Sequence, residues 1–522
     1  MELEWNNRWS ARLWTGLVLL GAGMVAAAFA GDWPQWGGSP ARNQYSPETG
    51  LPAVVDPGQT KSGSEEIDPA TTRNLKWAVR LGSLAYGNPT VAGGRVFVGT
   101  NNEVPRDPRH TGDRSILAVF NAADGAFLWQ LVIPKLADKF QDNEGLGLLS
   151  SPTVEQDRVY LVSSRCEVLC LDVHGLADGN AGPFREEAEY AAGPGQPRIE
   201  PGPRDADIIW RFDMRAELKV APHNAANCSV LVVGDLLFVG TSNGQDDTHT
   251  RAASPQAPSL IALDKKTGRL VAQDREGIGS RLFHSQWSSP AAGEVGGRTW
   301  IFFGAGDGLC YAFDAQPGAQ GTLEKRWRRD CNPPSYRVRN GQPVKYSDPE
   351  GPSEINGTPV FYKNRVYVAI GQDPEMGDGA GNLVCLEAAG SGDAAAAGTV
   401  WSRKDIHRSL STAAIDPATG LLFIADFAGF LYCLEADTGK SVWVHDLKAH
   451  VWGSPLVADG KVYIGDEDGD FTVLAARREK KVISETNFGG PIYSTPVAAN
   501  QVLYVATQTH LYAFEARGQA GR

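Results

Sequence analysis

One phrase recurs eight times along this chain, and no other feature limits its fold so strongly. A small residue and a proline-slot residue lead an apolar stretch, a turn, a strand of the VYVG type, a glycine turn and a strand of the LYALD type. A Thr-Gly step often follows, and then a tryptophan. The last two copies are the clearest: GSPLVADGKVYIGDEDGDFTVLAA from Gly453 and STPVAANQVLYVATQTHLYAFEA from Ser494. The proline slot falls at residues 89, 152, 230, 290, 359, 413, 455 and 496. The shortest intervals are 41 and 42 residues, so the bare unit is about 42 residues and longer intervals carry inserted loops. Short apolar runs bounded by Gly, Asp and Asn turns describe an antiparallel meander of four strands. Such a sheet buries too little alone, and stacking copies round an axis covers both faces and protects the edges.

The expected fold is therefore all-β: an eight-bladed β-propeller of four-stranded antiparallel blades over residues 72–517. Its blades begin near 86, 148, 226, 286, 355, 409, 451 and 492. The last unit supplies only three strands. A lone strand-like stretch around Asn74–Leu81, within a closing segment 72–83, precedes the first unit and carries the missing tryptophan. It is expected to be the outer strand of blade eight. Trp129, Trp210, Trp327, Trp401 and Trp443 close their units and should pack between blades. Glycine (59) and proline (32) form about 17% of the 522 residues, above the ~12% of average usage, which suits many turns. Residues 175–207, 244–258 and 389–399 lack apolar periodicity and read as surface loops, and 31–71 as an N-terminal segment outside the propeller.

Residues 1–30 form a signal peptide in this reading. Arg8 and Arg12 precede an apolar run, Leu13 to Phe29, that ends in the small-x-small site Ala28-Phe29-Ala30. The alternative is an anchor helix that is kept. Cleavage places the rest in the periplasm or outside the cell. The formal net charge of −12 argues against a nucleic-acid partner, because phosphate contacts need clustered Lys and Arg. Seven cysteines leave at least one unpaired in a monomer. Cys170, Cys385 and Cys433 share one repeat slot and read as small buried hydrophobes, so Cys310 and Cys331 are the pair to check.

The phrases SLIALDKKTG (259–268) and YCLEADTGKSVW (432–443) resemble the repeat of pyrroloquinoline quinone (PQQ) propellers. So does the leading DWPQWGGSPARNQYSPETGLP (32–52). The resemblance covers nearly all of the chain after residue 30. It implies an eight-bladed quinoprotein-like propeller, a fold that also serves cofactor-free proteins such as BamB-like outer-membrane assembly factors. Quinoprotein alcohol dehydrogenases, by resemblance, would hold PQQ and calcium over the axis, with a stacking Trp, a catalytic Asp and a disulfide between adjacent cysteines. This chain has no adjacent Cys pair. FVGTSNG (238–244) resembles the stretch whose Asn binds calcium, which maps to Asn243.

Three places before each proline slot stand Tyr86, Leu149, Asn227, Trp287, Asn356, Leu410, Trp452 and Tyr493. These should ring one mouth of the channel, with His223, His284, Glu354, Arg408 and His450 just upstream. Tyr86, Trp287, Asn356, Trp452 and Tyr493, with Asn243, are the cofactor-binding candidates, because an aromatic ring with polar groups suits a flat ligand. Asn243 with Asp466, Asp468 and Asp470 of GDEDGD, and the second acidic loop Asp373, Glu375 and Asp378, are calcium candidates. No catalytic residue can be assigned from a motif. The leading function is a non-catalytic binding or assembly scaffold in the cell envelope, meeting envelope proteins or a small ligand at the axis. The alternative is a PQQ-dependent oxidoreductase acting on an alcohol or sugar. A channel plugged by side chains favours the scaffold, and acidic and aromatic mouth residues converging on one point favour the enzyme.

Overall fold

The computed structural model describes residues 31–376, 380–393 and 398–516. The expected signal peptide, Asp378 and the last residues, 517–522, lie outside these.

Eight antiparallel sheets surround one axis, seven of four strands and one extended by a fifth, parallel strand. Their innermost strands begin at Thr90, Thr153, Leu231, Ala291, Val360, Ala414, Leu456 and Val497, each one residue after the proline slot. In blade one, Thr90–Ala92, Arg95–Asn101, Arg114–Asn121 and Phe127–Pro134 run from the axis outward. Blade eight has three strands from the C-terminal end of the chain. Its fourth is Leu75–Arg80, antiparallel to His510–Glu515. The ring is closed by an N-terminal strand, because the last repeat stops one strand short.

Tryptophan locks the blades together. Its indole N–H donates to a backbone carbonyl of the following blade at six junctions: Trp77 to Ala122, Trp129 to Val173, Trp210 to Lys265, Trp327 to Ala388, Trp401 to Ala436 and Trp443 to Arg477. The Thr-Gly step of the repeat explains the fit. Gly268 sits at φ +70°, and a Cβ there would lie 2.4 Å from the Trp210 ring. Only glycine both tolerates that backbone and lets the indole lie flat on it. The apolar clusters straddle neighbouring blades, as when Phe97 and Leu117 of blade one meet Val159 and Leu161 of blade two.

The segment 31–48 does more than precede the propeller: it crosses all eight blades. Trp33 pairs with Val91, Pro34 accepts from Val154, Pro40 from Ala292 and Ala41 from Phe361. Asn43 exchanges two bonds with Ile415, and Tyr45–Ser46 adds a parallel strand to Val457–Ala458. Glu48 accepts the N–H groups of Asn500 and Gln501. Arg42, fully buried, donates to the carbonyls of Ser229, Val230, Pro290 and Trp36. This strap ties the blades together across the ring.

The insertion 175–207 is also more than a surface loop. It holds the helix Glu187–Ala192, whose Tyr190 is buried against blades one and two. All seven cysteines are free and buried, Cys310 and Cys331 included.

Candidate functional site

The residue before each proline slot is small and polar: Asn88, Ser151, Ser229, Ser289, Thr358, Thr412, Ser454 and Thr495. A blade's backbone N–H at this level donates to the next blade's side-chain oxygen. Thr358 donates to Thr412 (3.0 Å), Thr412 to Ser454 (2.9 Å), Ser454 to Thr495 (2.9 Å) and Thr495 to Asn88 (2.6 Å). The Asn88 side-chain amide donates in turn to Ser151 Oγ at 3.2 Å, and the Ser229 N–H to Ser289 Oγ at 2.9 Å. This belt draws the blades in and satisfies peptide groups that face the channel.

Above the belt lies a chamber of about 280 Å³. All eight residues of the mouth ring line it, from Tyr86 round to Tyr493, and each is half-buried. Trp36 of the strap also reaches it, donating to Thr358 Oγ1 at 3.0 Å. Tyr86 stacks on Tyr493 at 4.6 Å between centroids, and Trp452 meets both rings edge-on. The Trp287 indole donates to Ala225 O, and that of Trp452 to Glu467 Oε2. Burial, with Tyr493 and acidic neighbours, pushes the Tyr86 phenol up to about 12, so it stays a donor.

Among the described residues, the charged ones lining the chamber are Asp373 and Glu375, both acidic. Burial raises Asp373 to about 6, against the pull of the Glu375 N–H. Beside it, Glu354 is fully buried and raised to about 8 by burial. The Tyr346 hydroxyl donates to its Oε1 at 2.8 Å, while its Oε2 has no partner among the described residues. Arg408 lies behind, over the Phe427 ring.

The structure does not bring Asn243 to this chamber. The side chain is fully buried, its Oδ1 accepts the Ala221 N–H at 3.1 Å and its Nδ2 donates to Ser254 O at 3.0 Å. It pins two loops, and both ends of its amide are committed. Nor do Asp466, Asp468 and Asp470 converge. Asp466 is buried and accepts the Asp470 N–H at 2.9 Å, Asp468 is exposed, and Asp470 accepts from Asn487 Nδ2. Burial lifts Asp466 to about 6. This is a hairpin turn held by its own carboxylates.

A PQQ-repeat family model, described as outer membrane protein assembly factor BamB, matches residues 66–177 and 393–482. The two matched stretches, which carry the PQQ-like repeat, make up less than half of the chain. The whole ring is an eight-bladed β-propeller. The propeller is similar to BamB from Moraxella catarrhalis (14% identity, TM-score 0.52), covering 86% of this chain and 98% of that one. It is also similar to a europium-containing methanol dehydrogenase (13% identity, TM-score 0.60), covering 93% and 98%. A quinohemoprotein alcohol dehydrogenase from Pseudomonas putida HK5 aligns at 12% identity and TM-score 0.55, over 94% and 81%. At these identities the likeness is one of fold. No curated protein sequence matches the chain. Among the described residues no helix is long and apolar enough to cross a membrane.

Two features escaped the sequence reading. Trp36 sits in a segment without strand periodicity, and only its place beneath the ring makes it a floor. His249, from the insertion 244–258, also meets His223 and His284, which the sequence places just upstream of the ring, at one point.

Proposed function

We infer that this propeller is an exported, non-catalytic binding scaffold of the cell envelope whose axial chamber takes a small neutral or cationic ligand. One observation carries the reading: the chamber is walled by Tyr86, Trp287, Trp452 and Tyr493, and its charged lining is Asp373 and Glu375. Aromatic faces beside amides suit an uncharged ring or an organic cation by stacking and cation–π attraction.

PQQ fits this chamber poorly. It is a flat tricarboxylate, and a site for it needs cations where the lining offers two more carboxylates. Asn243, the expected calcium ligand, is spent on backbone groups. Acidic and aromatic mouth residues do converge on the chamber, the arrangement that the sequence tied to the enzyme, and here it supports ligand binding. The strap, with Arg42 spent on carbonyls, supports the scaffold. The family model's description points to envelope partners, which the long loops at the chamber end would meet.

A thermal-shift panel tests this. Neutral sugars and quaternary amines are compared with PQQ plus calcium, on the wild type and on Trp452→Ala. The expected result is a rise in Tm with at least one neutral or cationic ligand, abolished in Trp452→Ala. Stabilisation by PQQ alone overturns the reading.

A further inference from the structure

We propose that His223, His249 and His284 form a binding site for a divalent transition-metal ion such as zinc, copper or nickel, beside the wall of the axial chamber. The three histidines come from three loops: the one before the inner strand of blade three, the insertion 244–258, and the one before the inner strand of blade four. Each offers a ring nitrogen within 4.8 Å of the others. The rings of His223 and His249 are 4.6 Å apart, His223 and His284 4.6 Å, and His249 and His284 5.4 Å.

The hydrogen bonds prepare the donors. His223 Nδ1 lies 3.0 Å from the carbonyl oxygen of Gln245. A carbonyl only accepts, so Nδ1 carries the proton and Nε2 holds a lone pair. Backbone orientation of one ring nitrogen is how ligating histidines are set. That Nε2 lies 2.8 Å from His249 Nε2. Ligands of a tetrahedral ion at ~2.05 Å stand roughly 3.3 Å apart, so a small opening of the pair admits the metal. His284 is the second observation that points to a ligand. It is 1% exposed, and its Nδ1 has no hydrogen-bond partner among the described residues.

Charge points the same way. Asp246 and Asp373 are the acids near these rings, and would offset a dication. Three imidazoles suit zinc, copper or nickel and not calcium or magnesium. The other donor cluster, Asp107, His110 and Asp205, already holds Arg109 as its cation.

The test uses the full protein carrying no oligohistidine tag, stripped with chelator. It is titrated with zinc and with cobalt as a visible-absorption probe, and metal content is measured by mass spectrometry. His249 is half-exposed on its loop, so His249→Ala should fold as wild type does. The expected result is one equivalent bound by wild type, a cobalt band with nitrogen ligation, and at least ~10-fold weaker binding by His249→Ala. His284→Gln should behave alike, and if it does not fold, His249→Ala decides. No stoichiometric binding by wild type, or equal binding by His249→Ala, overturns the proposal.

Discussion

The indole nitrogen of Trp77 donates to the carbonyl of Ala122 at 3.0 Å, joining the outer strand of blade eight to blade one. The contact fastens the ring at the point where the chain's two ends meet. Trp77 is 7% exposed and lies against Gly125, which stands at φ +75°. Trp77→Ala should cost roughly 3–5 kcal/mol, the range for emptying a buried tryptophan. Gly125→Ala should destabilise too, because its Cβ would come 2.9 Å from the indole. Urea unfolding followed by circular dichroism would measure both. An unchanged midpoint for both variants would contradict closure at this junction.

Arg42 makes the second prediction. Its guanidinium satisfies carbonyls from blades three and four and from its own strap, fully out of solvent. Arg42→Met removes the donor from the carbonyls of Pro290 and Trp36, at roughly 1–3 kcal/mol for each left unpartnered, while Val230 keeps the Thr153 hydroxyl. Arg42→Lys should fail to rescue, because one ammonium cannot span what the planar fork spans. Comparing the Tm of both variants with wild type checks this. Full rescue by lysine would mean that charge alone matters there.

The carboxyl of Glu354 sets a pH dependence. Burial raises it from 4.5 to about 8 in the folded chain. The folded state therefore holds a proton that the unfolded state loses first. Its contribution is fully present below about pH 4.5 and is lost as pH rises through 8. Glu354→Gln keeps the neutral shape, so it should gain stability relative to wild type as pH goes from 5 to 8. Melting both proteins across that range tests it. A constant difference would show that the group does not titrate there.

The cysteines give a count. All seven are free and buried, with burial raising each thiol's pKa. A thiol reagent should find none in the native protein and seven after denaturation without reductant. Five would mean that Cys310 and Cys331 are joined.

The repeat made the ring readable because every blade places the same slot at the same height. Reading back from the proline slot led to Tyr86, Trp287, Trp452 and Tyr493, which line one chamber. The closing strand was legible because one tryptophan and one strand were missing from the last unit. The strap was not, because it spends one or two groups on each blade, peptide and side chain alike, and so leaves no periodic pattern. The histidines were hidden for another reason: 26 and 35 residues separate them, and only the folding of three loops joins them. Asn243 misled because a strand-end asparagine that pins a loop and one that binds an ion occupy the same short phrase.

The most direct test of the central claim is calorimetric titration of the protein with PQQ and calcium, with a dye-linked alcohol and sugar oxidation assay on the mixture. The acidic, aromatic chamber predicts no saturable heat at micromolar PQQ and no turnover. Stoichiometric binding with turnover would contradict it and make this propeller a quinoprotein.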